Sequence, residues 1–272
     1  MKGLELAISL AQKIECNIQL VFVQKPNTSF YHKELENAKA LAENKAQEVI
    51  ATYKPMLPAT VDLTFKLREG KVHEEINAQA KSVDNPWIIT STYGGSGFEN
   101  LFMGSHAYKI ITSTDVPVIS TRRGDVPESF KNIVLPIDIS GQSRQKVPKA
   151  IAVAEAFGAT VHVVKVTTTT VPDLQLKLDV YAEQICKILA KSGIDYKKAT
   201  KRGKNSTELI IDYSEEVNAD LIIIMTEQER SRLPNLLLGS FAHQLVNSTS
   251  IPVMSITPEE ISRASSFSAS GS

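Results

Sequence analysis

The sequence predicts an α/β fold made of two tandem halves, each a parallel sheet flanked by helices. Three observations carry that expectation: a block pattern that occurs twice, apolar β-rich runs alternating with segments of helical period, and runs apolar enough to be buried on both sides. VPVIS at 116–120 returns as IPVMS at 251–255, Gly104-Ser105 returns as Gly239-Ser240, and NPWIITS at 85–91 lines up with DLIIIMT at 220–226. All three keep one offset (251 − 116 = 135), which marks duplication of a whole structural unit.

The second half spells out every element. NIVLPID is a strand bounded by a turn, and residues 145–157 follow with Val147, Ala150, Ile151 and Ala154 at helical spacing. Then come TVHVVKV, a long helix near 173–192, a polar strand near 195–201, a helix near 206–217, the run ADLIIIMT, a loop, a helix near 239–248 and IPVMSI. A β-α-β alternation of this kind requires right-handed crossovers and a parallel sheet covered on both faces.

The first half opens instead on a helix, where Leu4, Ala7, Ile8 and Ala11 form one apolar stripe. Its first strand, NIQLVFV at 17–23, matches TVHVVKV of the second half at a shifted offset (160 − 17 = 143), so the counterpart of Asp138 would precede Met1. One strand is therefore expected to be missing from this half, leaving two backbone edges about 9–10 Å apart. A less stable first half, weaker ligand binding and recovery on restoring upstream residues are expected to follow.

The expected boundaries are 1–124 for the first domain, 125–258 for the second and 259–272 for a Ser-rich disordered tail. Lys plus Arg and Asp plus Glu both number 30, which gives no global field for nucleic acid or an anionic membrane. No apolar run approaches the roughly 20 residues of a membrane span. Cys16 and Cys186, in segments that read as helix ends, lack CxxC spacing, and His32, His73, His106, His162 and His243 lack paired ligand spacing. A protein of a reducing cytoplasm, without a disulfide framework or structural metal, is expected.

Chemistry is expected at the carboxyl ends of the strands, where glycine lets backbone amides approach phosphates and a helix N-terminus faces the charge. The loop after the fourth strand of the first half reads Ser91, two residues, Gly94, nine residues, Gly104, Ser105, then a helix and Val116-Pro117-Val118. The second half has Thr226, two residues, Glu229, nine residues, Gly239, Ser240. A carboxylate at Glu229 repels phosphate and its side chain obstructs close approach. The prolines suit the start of edge strands, which do not need the missing amide. Lys197, Lys198, Lys201, Arg202 and Lys204 read as a charged edge strand with its exit.

On these residues the chain resembles the universal stress protein family, whose nucleotide-binding branch has Gly, two residues, Gly, nine residues, Gly, then Ser or Thr before a helix and Val-Pro-Val. Here only the first Gly departs, replaced by Ser91. The resemblance implies a Rossmann-like sheet of order 3-2-1-4-5 in each half, with the fifth strands pairing between halves and a homodimer as a further assembly. It also implies that Gly94, Gly104 and Ser105 contact a triphosphate, that Ser91 and Tyr93 shape the wall, and that Val23 lies near adenine. ATP, with Mg²⁺ arriving on it, is the implied ligand. Asp138 matches the family's nucleoside-contacting aspartate, which the first half lacks. Asp138, Gly239 and Ser240 would thus form a degenerate second site, or Asp138 would serve only to hold turn amides and Ser240 only to cap a helix.

Two further readings stand beside an ATP-responsive stress regulator: a scaffold acting through protein partners with both sites degenerate, and an adenylate-using enzyme. Neither a GxSxG elbow nor a Walker loop supports the enzyme.

Overall fold

The computed structural model describes residues 2–24, 32–91, 105–122, 126–140, 142–226 and 240–258. In the first half α1 (Lys2–Ile14), β1 (Ile18–Gln24), α2 (His32–Tyr53), β2 (Leu63–Glu69), α3 (Val72–Ala80), β3 (Ile88–Ser91), α4 (Ser105–Ser113) and β4 (Val118–Thr121) follow one another. The second half is β5 (Asn132–Ile137), α5 (Val147–Phe157), β6 (Thr160–Thr167), α6 (Pro172–Lys191), β7 (Tyr196–Arg202), α7 (Ser206–Glu216), β8 (Leu221–Met225), α8 (Ser240–Ser248) and β9 (Val253–Ile256).

Local chemistry sets these limits. Gly158 closes α5 with φ +61°, a conformation that costs a side-chain-bearing residue energy, and lets the chain turn at once into β6. Asn205 opens α7 by accepting the amides of Thr207 at 3.1 Å and Glu208 at 3.4 Å. β8 is buried along its whole length, as an all-apolar strand between two helical layers should be.

The halves do not keep separate sheets. Seven strands run in the order β3-β4-β9-β8-β5-β6-β7, with β4 and β9 antiparallel and every other pair parallel. The expectation that Pro117 and Pro252 begin edge strands therefore needs correcting. Each adjoins the outer strand of its own half, but pairing across the junction makes both strands interior. The prolines are tolerated because they precede the ladders, where their carbonyls accept the amides of Ile88 and Ile222, each at 3.0 Å.

β7 is the edge at the other end, and two of its lysines have acidic partners. Lys198 reaches Glu183 at 3.1 Å, and Lys201 reaches Glu216 at 2.6 Å while lying over the Tyr213 ring. The basic run is a charged rim on an otherwise open edge. Cys16 follows α1, whereas Cys186 is buried inside α6 rather than at a helix end.

β1 and β2 form a separate two-stranded parallel sheet. In the second half β5 lies between β6 and β8, and among the described residues no strand fills the equivalent place between β1 and β3. The helix α1 bridges that break. Leu6 and Leu10 join the core of the large sheet, Ile8 and Ala11 join that of the small one, and Gly3 lies against the backbone of Thr90 and Ser91.

Candidate functional site

The second half contains an intact switch point. From β5 the chain crosses through α5 to β6, while β8 flanks β5 on the other side, so connections diverge at the carboxyl ends of β5 and β8. Pairing of β5 with β8 stops at Val134, two residues before Pro136, which has no amide proton with which to extend it. Asp138 follows β5 with an exposed side chain. Its carboxylate accepts the Ser140 amide at 2.8 Å, and its own amide donates to Ser143 Oγ at 3.3 Å, so this aspartate is engaged in shaping its turn.

Beneath that turn lies a residue the sequence reading did not single out. Lys146, directly before α5, is 4% exposed, and its Nζ donates to Ser143 Oγ at 3.3 Å. Burial pushes its pKa down to about 8, against the opposing influence of the Asp138 carboxylate. The signal was present in the pattern: Lys146 stands four residues before the buried Ala150, on the inward stripe of the helix.

In the first half, Val23 and Ser91 are half-buried at the carboxyl ends of β1 and β3. The two strands belong to different sheets, so no backbone ladder brings these residues together. Beside Val23, the side-chain oxygen of Gln24 is buried without a hydrogen-bond donor among the described residues. A buried acceptor left unpaired costs about 1–3 kcal/mol, and the sequence reading missed it because an isolated glutamine carries no motif. The helix α4 begins at Ser105 and α8 at Ser240, the two serines predicted at these sites. Tyr93, Gly94, Gly104, Gly239 and Glu229 lie outside the described residues.

An open depression of about 410 Å³ lies between the first turns of α7 and α8, lined by Lys204, Asn205, Ser206, Thr207, Phe241 and Gln244. Of the residues the sequence singled out, Lys204 of the basic cluster lines it, and Ser240 adjoins it in sequence through Phe241. Thr207 Oγ1 donates across it to Gln244 Oε1 at 3.2 Å, a link that ties the two helices together.

Among the described residues no three His, Cys, Asp or Glu side chains converge on a point that would hold a metal ion. His106 is exposed on α4. His162 is buried in β6, its Nδ1 at 3.0 Å from the Tyr213 hydroxyl and its Nε2 at 3.3 Å from Asn132 Oδ1. No described helix is long and apolar enough to cross a membrane.

Comparison with known proteins joins the duplication to a family. The sequence profile of the universal stress protein family matches twice, over residues 1–122 and 129–256. The chain belongs to the universal stress protein family. A curated member, the universal stress protein MJ0531 of Methanocaldococcus jannaschii, is 29% identical over 139 residues, which are 46% of this chain and 81% of that protein.

Among solved structures, a universal stress protein from Archaeoglobus fulgidus superposes with a TM-score of 0.74 at 16% identity, covering 95% of this chain and 93% of that one. A Pseudomonas aeruginosa protein described as a putative universal stress protein gives a TM-score of 0.57 at 16% identity, covering 92% and 95%. At such identities the likeness is one of fold.

Proposed function

We propose that this universal stress protein is a cytoplasmic, nucleotide-linked regulator of the stress response, in which the first half takes an adenine nucleotide and the second half carries a degenerate site. The observation that carries the reading is the spacing Ser91, Gly94, Gly104, Ser105 running into the nine-residue helix α4. Glycines at those positions free backbone amides to face phosphate oxygens, and a helix start supplies partial positive charge. The Gln24 oxygen beside Val23, which has no donor among the described residues, suits the donor amine of an adenine ring. Gly94, Gly104 and Ser105 would hold the phosphates, with Ser91 and Tyr93 along the wall.

The second half differs in three ways that all disfavour a triphosphate. Glu229 replaces a glycine, Asp138 is occupied with the Ser140 amide, and Lys146 is turned inward under the turn. Gly239 and Ser240 then serve chiefly as a helix start. In this reading any Mg²⁺ arrives on the nucleotide, and the protein works by binding, with slow hydrolysis of the nucleotide compatible with it.

The scaffold reading has one observation in its favour: no described aspartate ends a strand between β1 and β3, where the nucleoside would be held. Isothermal titration with ATP separates the two readings. Saturable heat that Gly104→Trp abolishes supports the nucleotide site, and heat that is absent, or unchanged in that variant, removes it in favour of the scaffold.

A further inference from the structure

α6 buries one side and leaves apolar groups on the other. Its inward side, with Leu178, Ala182, Ile185, Cys186 and Leu189, enters the core of the large sheet, as a helix in a layered fold requires. On the outward side Leu176 is 63% exposed, and Val180 and Ile188 are each 46% exposed. The three share one stripe at i, i+4 and i+12, with the exposed Gln184 filling the position between. Val171, directly before the helix, and Tyr196, on the strand that follows it, are exposed as well. Five of the nine large apolar side chains exposed among the described residues therefore belong to this one segment of the second half, Val171 to Tyr196.

The charges of α6 divide in the same way. Asp179 and Glu183 are engaged by Lys165 of β6 and Lys198 of β7. The outward charges, Asp173, Lys177, Lys187 and Lys191, have no oppositely charged partner among the described residues. Asp173 and Lys191 stand 18 residues apart (191 − 173 = 18), which is five full turns at about 3.6 residues per turn, so they end one line along the outward face.

That face is complementary to itself. A second α6 laid antiparallel, about a twofold axis level with position 182, sets Asp173 against the partner's Lys191 at both ends and Val180 against the partner's Gln184 in the middle. Leu176 then lies along the methylene stem of the partner's Lys187, and Ile188 along that of the partner's Lys177. Lys177 and Lys187 fall on opposite flanks of the seam, so like charges do not meet. The open edge of β7 is less suited to a second copy, because Lys197, Lys198, Lys201 and Arg202 would face the same run.

We propose that α6 is a self-association surface, through which two copies of this chain meet as an antiparallel helix pair. The proposal is independent of nucleotide binding. One helix pair buries less than the roughly 1,200 Å² of a standard interface, so the dimer is expected to be weak and reversible.

Sedimentation velocity of the full chain, from about 1 to about 500 µM, is expected to show monomer giving way to dimer with a Kd in the micromolar range. Leu176→Glu combined with Val180→Glu should raise that Kd at least about tenfold, and Asp173→Lys or Lys191→Asp alone should do the same. The double exchange, Asp173→Lys with Lys191→Asp, should return it to within about threefold of the native value. Each charge also suits its own helix end, so a purely local role would make the double exchange worse than either single one. Circular dichroism melting establishes that each variant is folded. Monomer at every concentration, a dimer indifferent to Leu176→Glu with Val180→Glu, or a double exchange no better than the single ones would overturn the proposal.

Discussion

Tyr108 of α4 and His243 of α8 hold the same position in the two copies, 135 residues apart, and meet edge to face with ring centroids 5.8 Å apart. Ile119 and Met254, equivalent by the same offset, lie opposite one another in the antiparallel pairing of β4 and β9. A pseudo-twofold axis therefore passes between these two pairs, and the halves are related as two subunits of a symmetric dimer would be. Ile119 and Met254 are both fully buried.

The junction should therefore couple the halves in unfolding. Ile119→Ala is expected to cost about 2–5 kcal/mol, as buried large-to-small changes do. In urea, Trp87 fluorescence and far-ultraviolet circular dichroism should lose signal together and shift by the same amount. Two separate transitions, with only one displaced, would show that the junction does not transmit stability.

Lys146 should burden the fold at neutral pH. The folded chain gives up the lysine proton near pH 8 and the unfolded chain keeps it to about 10.5, so the unfolded state binds more protons within that window. Stability then rises with pH from about 8 to 10.5, and the cost is fully present below 8. That interval corresponds to roughly 3 kcal/mol, so Lys146→Met is expected to stabilise by that order near neutral pH, with the gain narrowing above pH 8. A destabilised variant, or a gain independent of pH, would contradict this.

His162 should make the fold sensitive to acid. Burial lowers its pKa below 6.5, with the Lys197 charge acting in the same direction, so the ring stays neutral while the unfolded chain takes up a proton. Stability is present above 6.5 and is lost as pH falls toward the folded value. Comparing urea midpoints at about pH 7 and about pH 5, His162→Gln should show a smaller drop than the native chain. An equal drop would assign the acid sensitivity elsewhere.

The two sites should respond unequally to substitution. Val23→Glu places a carboxylate beside the proposed nucleobase and is expected to weaken ATP binding at least about tenfold, whereas Asp138→Ala should change it by less than about twofold. Fluorescent-nucleotide competition measures both. A large effect of Asp138→Ala would move the site to the second half.

Much of this architecture was legible because period and burial coincide. LIIIM in β8 and TVHVVKV in β6 are apolar enough that only buried strands suit them, and the inward stripe from Val147 to Ala154 sets α5. The interior placement of Pro117 and Pro252 was not legible in either half's own pattern, because it depends on pairing across the duplication, and only the family resemblance pointed to that pairing. Asp138 fitted both a ligand role and a turn role, and only geometry revealed the Ser140 amide on its carboxylate. Lys146 was overlooked because lysine is ordinarily a surface residue, and its inward turn depends on the fit of Ser143 beneath Asp138.

Stoichiometry tests the central claim most directly. Equilibrium dialysis of the full chain against ATP should saturate at one nucleotide per polypeptide, held by the half that carries Gly94 and Gly104. Saturation at two would mean that Glu229 does not disable the second site, and no retention at all would show that the glycine spacing of the first half builds a loop and not a phosphate cradle.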